Sequence, residues 1–233
     1  MSHRAALEEL DARNNGIPFL RSRAAAHRGD REGPVTRTDS PTTLFSVVPY
    51  RAVELIESDI RALQRFFDAN PEYFETVNGQ PPREDEARQE FVEMPPAGMG
   101  FTKKWMLGFV HEQHGLIGMA TILSDFLAPR VWHIGLYIVA SSLHGSGVGR
   151  SIYEALEDWM KNEGALWVRL GVVVGNRKAE GFWERLGYSE VRRRTDVETG
   201  RKRSEIRVMV KRLDRMPLGD YLDLVARDRP GAP

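Results

Sequence analysis

Residues 137–150 read Tyr-Ile-Val-Ala-Ser-Ser-Leu-His-Gly-Ser-Gly-Val-Gly-Arg, and this stretch decides the fold. The apolar residues at its start predict a buried strand, and the alternating glycines Gly145, Gly147 and Gly149 predict a turn. Apolar residues then recur at helical spacing as far as Trp159, so a helix is predicted to begin within the turn. Glycines in such a turn let a ligand approach the backbone and leave several N–H groups on one side. Together with the positive end of the helix dipole, these groups favour a phosphate or diphosphate ligand.

Two other phosphate-binding motifs fail at specific positions of this turn. A phosphate loop of the Walker type needs a glycine, four further residues, and then Gly-Lys-Ser or Gly-Lys-Thr. Gly149, Arg150 and Ser151 resemble its end, but His144 stands at the first glycine and arginine replaces the lysine. A dinucleotide-binding fingerprint needs a glycine three residues after its second glycine. Arg150 stands at that distance from Gly147, so neither motif describes the turn.

The rest of the chain alternates between segments of strand and helix periodicity. Predicted strands cover Leu44–Val48, Trp105–Glu112, Leu116–Ser124, Val131–Ala140, Leu166–Val174, Tyr188–Arg194 and Glu205–Lys211. Predicted helices cover Glu57–Asp68, Pro71–Val77, Glu84–Met94, Gly147–Asn162 and Lys178–Leu186. This order predicts one mixed α/β domain over residues 43–213. Residues 1–42 are polar and predict a disordered or loosely docked tail, and residues 214–233 predict a short helix and tail.

Composition narrows the classes of function. Lys and Arg together number 33, as do Asp and Glu, so the zero formal net charge argues against nucleic acid as the main partner. The absence of cysteine excludes disulfides, a thiolate metal site and a cysteine nucleophile, and we expect no metal. The apolar runs fall far short of the roughly 18 residues that a membrane helix needs, and no secretory signal is recognisable. We therefore expect a cytoplasmic monomer or homodimer without a membrane partner.

Two segments of the chain, in the right order, resemble the signatures of the GNAT-type N-acetyltransferases. The acetyl-CoA signature, Arg/Gln-x-x-Gly-x-Gly/Ala after a strand, is matched by residues 144–149, with His144 in place of the Arg or Gln. The second signature, Asn-x-x-Ala followed by an aromatic pair and a Gly-aromatic end, is matched by residues 176–188. The order of elements from Leu44 to Arg212 is also similar to that family. The resemblance implies a mostly antiparallel sheet of about six or seven strands, flanked by helices, whose two central strands splay apart to admit acetyl-CoA.

The same resemblance implies which residues contact acetyl-CoA. Ile138 and Val139 match the strand end whose backbone pairs with the pantetheine arm, and the amides that follow His144 match the diphosphate site. Asn176 matches a position near the thioester. The expected cofactor-binding set is Ile138, Val139, His144, Gly145, Ser146, Gly147, Val148, Gly149, Arg150, Asn176, Phe182 and Trp183.

In this family the acceptor amine attacks the thioester directly, which requires removal of a proton from an amine that is largely protonated near neutral pH. Asp125, just beyond one strand, and His133, within the next, are the candidate proton acceptors. The backbone N–H of Val139 is the candidate donor to the oxyanion.

The departing thiolate lacks the proton donor found in related enzymes. They often use a tyrosine seven residues after the signature asparagine, where this chain has Trp183, and an indole N–H cannot release its proton. Tyr188, Tyr137 and water are the alternatives. A thiol with a pKa of about 8.5 is a tolerable leaving group without help, so the replacement need not abolish catalysis.

The acceptor site is expected near Tyr73, Phe74 and Glu75, because similar folds place acceptor-binding helices there. A primary amine on a small molecule is favoured over one on a peptide, since the sequence predicts no extended peptide groove. One alternative is an acyl-CoA sensor without turnover. Another is an RNA-binding protein or RNA acetyltransferase that uses the basic segments 192–194 and 201–203, although interleaved acidic residues favour a solvated hairpin there.

Overall fold

Six α-helices and eight strands make up residues 42–232, the part of the chain described by this computed structural model. The strands are β1 (Thr43–Val47), β2 (Tyr50–Glu54), β3 (Lys103–His111), β4 (Gly115–Ser124), β5 (Val131–Val139), β6 (Trp167–Val173), β7 (Ser189–Thr199) and β8 (Lys202–Arg212). The helices are α1 (Ile60–Asp68), α2 (Glu72–Asn78), α3 (Glu86–Val92), α4 (Val148–Asn162), α5 (Arg177–Arg185) and α6 (Leu218–Leu224). The predicted N-terminal tail, residues 1–42, lies outside the described residues except for Thr42.

All eight strands belong to one sheet in the order β1-β2-β3-β4-β5-β6-β8-β7. Neighbouring strands run antiparallel except β5 and β6, which are parallel. The predicted mixed, mostly antiparallel sheet flanked by helices is therefore confirmed, with slightly more strands than the sequence indicates.

The additional strand lies near the N-terminal edge of the sheet. The sequence predicts a single strand over Leu44–Val48, whereas the structure has a β1–β2 hairpin whose turn contains Val48 and Pro49. β2 is short and half polar, so its periodicity is weak. Pairing with β3 along its whole length, rather than intrinsic propensity, fixes it as a strand.

The last two strands are longer than their apolar pattern predicts. β7 continues past Arg194 to Thr199, and β8 begins at Lys202 rather than at Glu205. These extensions are mostly polar, and cross-strand contacts stabilise them in addition to the burial of Val197 and Thr199. Asp196 pairs with Arg203, and the Thr199 and Ser204 hydroxyl oxygens lie 2.8 Å apart.

Alternating side chains place a hydrophobic core on each face of the sheet. On one face, which we call the α4–α5 face, Leu107, Phe109, Ile122 and Ile134 pack with Ile152, Leu156 and Trp183 of the two helices. On the other, the α1–α3 face, Met106, Met119 and Leu136 pack with Leu63, Phe67 and Phe74. Tyr221 of helix α6 and Val225, the residue that follows the helix, cover the β6–β8 end of this second face.

The sheet is interrupted between β5 and β6. These strands pair over only four residues each, Val131–Ile134 with Trp167–Leu170, and diverge beyond that point. Gly135 is an extra residue in β5 at the point of divergence, because Thr121 of β4 faces Leu136 and the next residue of β4 faces Ile134. Such a bulge bends a strand and increases its twist.

Candidate functional site

A cavity of about 150 Å³ lies where β5 and β6 diverge. Tyr137 and Trp183 line it on the α4–α5 face, and Tyr73 and Arg194 line it on the α1–α3 face. The cavity therefore passes through the sheet, between the two strands predicted to splay apart.

Peptide groups of β5 point into this opening. The N–H of Ala140 donates to the carbonyl of Ile117 on β4 at 2.8 Å, which fixes the alternation of the β4–β5 ladder. By that alternation the N–H and C=O groups of Ile138 bond to β4, whereas those of Tyr137 and Val139 point towards β6. Val139 thus has the orientation predicted for an oxyanion donor. Ile138 differs from the prediction, because its peptide groups are used within the sheet.

β6 presents peptide groups to the same opening. The N–H of Val174 donates to the Glu205 carbonyl at 2.8 Å, so the peptide groups of Gly171 and the N–H of Val173 face away from β8 and towards β5. The Val173 carbonyl accepts from the Asn176 N–H at 3.1 Å. Neither strand has a partner across the gap at this level. Peptide groups inside a sheet are normally paired, so an extended ligand that carries amides fits this gap.

The glycine turn lies at the end of β5. Gly145 and Gly147 have φ angles of 80° and 87°, in the left-handed region that favours glycine, and no atom lies within 4 Å of where a Cβ would stand on either. Their N–H groups donate to no acceptor within residues 42–232. The first N–H groups of α4, which begins at Val148, have no partner within the helix. The turn is therefore an open cluster of backbone donors.

The polar side chains of the turn are held by other parts of the protein. The contacts are His144 Nε2 with the Val139 carbonyl oxygen (3.0 Å), Ser146 Oγ with the Leu143 carbonyl oxygen (2.6 Å), and Arg150 Nε with Glu154 Oε1 (2.7 Å). An anion at this turn would thus meet main-chain N–H groups first.

Tyr137 joins the turn to the wall of the cavity. Its hydroxyl donates to the carbonyl of Gly149 at 2.7 Å, which ties the start of α4 to β5. Its ring stacks on Phe182 at a centroid distance of 6.0 Å and meets Trp183 edge-on at 5.7 Å. Burial raises the pKa of Tyr137 well above its usual value, so this phenol is a weak proton donor at neutral pH.

Asn176 begins α5 at the edge of the cavity. Its side-chain oxygen accepts from the N–H of Ala179 at 3.2 Å, which caps the helix. Asn176 and Trp183 both line the cavity. Phe182 contacts Tyr137 and so supports the wall from behind.

Two of the predicted catalytic side chains lie elsewhere. The Tyr188 hydroxyl is buried 2.8 Å from that of Tyr153, and burial raises the pKa of Tyr188. Asp125 lies in the β4–β5 connection, where its carboxylate accepts from the Arg130 N–H at 2.7 Å and from the Thr102 hydroxyl at 2.8 Å. Neither residue lines the cavity. Asp125 is a turn residue, as its φ of 51° also indicates.

His133 is the candidate proton acceptor that lies at the cavity. It is 3% exposed and stacks on Phe126 at 4.7 Å. Its Nδ1 lies 3.1 Å from the carbonyl oxygen of Arg169. Arg169 Nη1 lies 3.4 Å from the same ring nitrogen.

The three predicted acceptor-binding residues have different positions. Tyr73 lines the cavity, whereas Phe74 is buried in the core against Phe67 at 4.9 Å. Glu75 has an exposed side chain. Its carbonyl accepts from Lys202 Nζ at 3.0 Å, a contact that joins α2 to the β7–β8 hairpin.

A group of buried charges on the α1–α3 face was not predicted from the sequence. Arg169 of β6 forms a two-point ion pair with Asp228, at 2.7 and 3.1 Å, and the Tyr221 hydroxyl donates to the same carboxylate at 2.5 Å. Arg194 of β7 lies beside them and lines the cavity together with Arg169. The available signal was Arg169 itself, a charged residue inside an otherwise apolar strand, because such a residue needs a buried partner.

No set of three or more His, Asp or Glu side chains within residues 42–232 is arranged to hold a metal ion. Over the same span, no helix combines the length and the apolar character needed to cross a membrane.

Comparison with known proteins identifies a family. The model of the acetyltransferase (GNAT) family matches residues 63–188, a span that runs from α1 through the cavity and the glycine turn to the end of α5. No curated protein has significant sequence similarity to the chain.

Solved structures of similar fold agree with this match. An acetyltransferase from Salmonella typhimurium that modifies the N-terminal serine of ribosomal protein L7/L12 is 15% identical, with a TM-score of 0.57 over 72% of this chain and 97% of that one. A GCN5-related N-acetyltransferase from Kribbella flavida is 20% identical, with a TM-score of 0.53 over 71% and 99%. Spermidine N-acetyltransferase from Vibrio cholerae, solved with CoA and spermine, is 16% identical, with a TM-score of 0.55 over 71% and 96%. At such identities the likeness shows a shared fold.

Proposed function

The chain belongs to the acetyltransferase (GNAT) family, and from this premise we propose that it transfers an acetyl group from acetyl-CoA to a primary amine. The observation that carries the proposal is the divergence of β5 and β6 beside the glycine turn. It leaves an open cluster of backbone donors next to a cavity that passes through the sheet. A thioester held between the strands would be reachable by an amine from the α1–α3 face.

The residues at this site fit acetyl-CoA, which supplies a thioester carbonyl when bound. The N–H groups of Gly145, Gly147 and the first turn of α4 would hold its diphosphate. The outward-facing peptide groups of Tyr137 would pair with an amide of the pantetheine arm, whereas the Val139 carbonyl is already in contact with His144 Nε2. Trp183 and Asn176 would border the thioester end of the cavity.

His133 is proposed as the group that takes the proton from the acceptor amine. It lines the cavity on the α1–α3 face, where the acceptor would enter, whereas Asp125 is held in a turn outside the cavity. The N–H of Val139, which points into the gap, would donate to the oxygen that gains negative charge during attack.

No tyrosine is proposed as the proton donor to the departing thiolate. Tyr188 is occupied by Tyr153, and Tyr137 is a weaker acid than usual because it is buried. Since a thiol pKa of about 8.5 makes the thiolate a tolerable leaving group, we propose that it departs without a dedicated acid.

An acyl-CoA sensor without turnover is the second candidate, and the replacement of the usual tyrosine by Trp183 is the observation in its favour. Release of free thiol separates the two functions. An enzyme releases CoA thiol when an accepted amine is added, whereas a sensor binds CoA and releases none.

The decisive experiment on the site is calorimetric titration of acetyl-CoA into the wild type and into Gly147→Trp. A large side chain on Gly147 would fill the space through which a diphosphate approaches, so we expect the affinity to fall at least about a hundredfold. Gly164→Trp is the matched control. Gly164 also has a positive φ (103°) and open space, but it lies at the opposite end of α4. The proposal fails if Gly147→Trp binds acetyl-CoA as tightly as the wild type and the control do.

A further inference from the structure

The end of the cavity on the α1–α3 face is positively charged. Arg169 and Arg194 both line it, and no Asp or Glu within residues 42–232 does. The nearest carboxylate partner, Asp228, lies behind the wall with its side chain fully buried. Two buried guanidinium groups therefore share one carboxylate.

Asp228 is committed to Arg169 rather than to Arg194. Its two oxygens accept from Arg169 at 2.7 and 3.1 Å, whereas the closest approach of Arg194 Nη2 is 4.0 Å. The charge of Arg194 is thus only partly balanced inside the protein.

Arg194 also has unused hydrogen-bonding capacity. Its side chain is 8% exposed, its Nε has no hydrogen-bond partner, and its Nη2 donates to the Arg227 carbonyl at a long 3.3 Å. Burial, with the charges of Arg192 and Arg227, lowers the pKa of Arg194 to about 10, so it stays cationic at neutral pH. Leaving a buried charged donor unpaired is unfavourable, and a carboxylate is the strongest acceptor that a guanidinium can meet.

We propose that Arg194 binds a carboxylate on the acceptor, so that the substrate class is a small amine that also carries a carboxylate, such as an amino acid. The inference rests on the proposed acetyltransferase function and names the acceptor of that same site. A diamine or polyamine would place a second cation beside two guanidinium groups and is disfavoured.

Helix α3 carries two glutamates, Glu86 and Glu90, whose charges act on Tyr73 at this end of the cavity. Both have partners within the protein: Glu86 pairs with Arg83 at 2.8 Å, and Glu90 accepts from the Thr121 hydroxyl at 2.7 Å. Neither glutamate lines the cavity. Within residues 42–232, a cationic acceptor would therefore meet no carboxylate in the lining of the cavity.

The test measures thiol release from acetyl-CoA with acceptors that differ only in charge. Glycine, β-alanine and γ-aminobutyrate are compared with their uncharged amides and with diamines of equal length. For at least one chain length we expect kcat/KM to be about tenfold or more higher for the carboxylate than for its amide, as one charge-assisted hydrogen bond provides. Binding of the same compounds in the presence of CoA provides a readout that does not depend on turnover.

Arg194→Gln then locates the effect. We expect it to lower kcat/KM and affinity for the carboxylate by about ten- to a hundredfold and to change those for the amide by less than about threefold. Arg194→Lys should restore part of the preference. Arg193→Gln is the matched control, because Arg193 directly precedes Arg194 in β7, is half exposed and pairs with Glu190 on the surface. If Arg194→Gln does not fold, the wild-type panel and Arg194→Lys decide the question.

Three results would overturn the inference. Equal use of carboxylates, amides and diamines by the wild type removes it and leaves the acetyltransferase proposal standing. An equal loss for carboxylate and amide in Arg194→Gln assigns Arg194 a structural role only. Absence of thiol release with every amine, together with absence of acetyl-CoA binding, removes the proposed function and this inference with it.

Discussion

The glycine turn beside the cavity and the charged end of the cavity, which we call the turn end and the charged end of the site, are built from different parts of the chain. At the turn end, a contiguous segment presents main-chain N–H groups, and its side chains are turned back onto the protein. At the other end, the charged side chains of Arg169, Arg194 and Asp228 come from β6, β7 and the C-terminal segment. Recognition by the main chain leaves glycines at fixed spacing in the sequence, whereas a side-chain cluster assembled by the fold leaves no local pattern.

The two ends also differ in what they contribute to stability. The turn is exposed and contacts little, so changes there should affect ligand binding more than folding. The charged end is buried, so changes there should affect folding first. Three variants test this contrast.

The largest expected effect is on the buried ion pair. Asp228→Ala leaves Arg169 and Arg194 without their shared carboxylate, and we expect the free energy of unfolding to fall by about 3–5 kcal/mol. Urea denaturation measures the change. Asp223→Ala is the control, because its ion pair with Arg229 is exposed and should contribute less than about 1 kcal/mol. If both variants lost a similar free energy of unfolding, the buried ion pair would contribute no more to stability than the exposed one.

The carboxylate of Asp228 should also make the free energy of unfolding depend on pH in the acid range. Burial opposes ionisation of Asp228, but the charge and hydrogen bonds of Arg169 outweigh it and hold the pKa at about 2, below the usual 3.8. Because the pKa of Asp228 is lower in the folded protein than in the unfolded chain, its ionised carboxylate stabilises the fold fully at pH values above the unfolded-state pKa. This stabilisation is lost as the pH falls through about 2. Between about pH 5 and pH 2 the wild type should lose about 2 kcal/mol more than Asp228→Asn does. If the free energies of unfolding of the two proteins fell in parallel over this pH range, the pH dependence could not be assigned to Asp228.

The smallest expected effect is at the turn end. Tyr137→Phe removes the hydrogen bond to the Gly149 carbonyl that ties α4 to β5. A net loss of about 1 kcal/mol should weaken acetyl-CoA binding about three- to tenfold, measured by calorimetry. Tyr50→Phe on β2, outside the cavity lining, is the control and should bind normally. Unchanged binding in Tyr137→Phe would mean that the turn is held by other contacts.

Much of the fold could be predicted from the sequence because its elements have strong local signals. β5, the glycine turn and α4 combine an apolar run, alternating glycines and helical periodicity, and the structure has all three. β2 and the outer halves of β7 and β8 lack such signals. They are strands because a neighbouring strand supplies hydrogen bonds and cross-strand contacts, which depend on tertiary structure.

The site was predictable to the same extent. The backbone donors follow from the glycines, whereas the direction of each β5 peptide group depends on the ladder with β4, which places Val139 but not Ile138 in the gap. The position of Asp125 in a turn and the position of Arg194 at the cavity depend on residues distant in sequence. No spacing along the chain indicates that Asp228 reaches Arg169.

The extra residue at Gly135 has a consequence for the whole sheet. Because it stands outside the ladder, its deletion would leave Ile134 and Leu136 on the faces that they now occupy, and β5 would simply straighten. A straight β5 would remain alongside β6 and extend the parallel pairing that now stops at Ile134. The deletion would add backbone hydrogen bonds and seal the crevice. One extra residue thus leaves the sheet discontinuous at a single seam and keeps the crevice open.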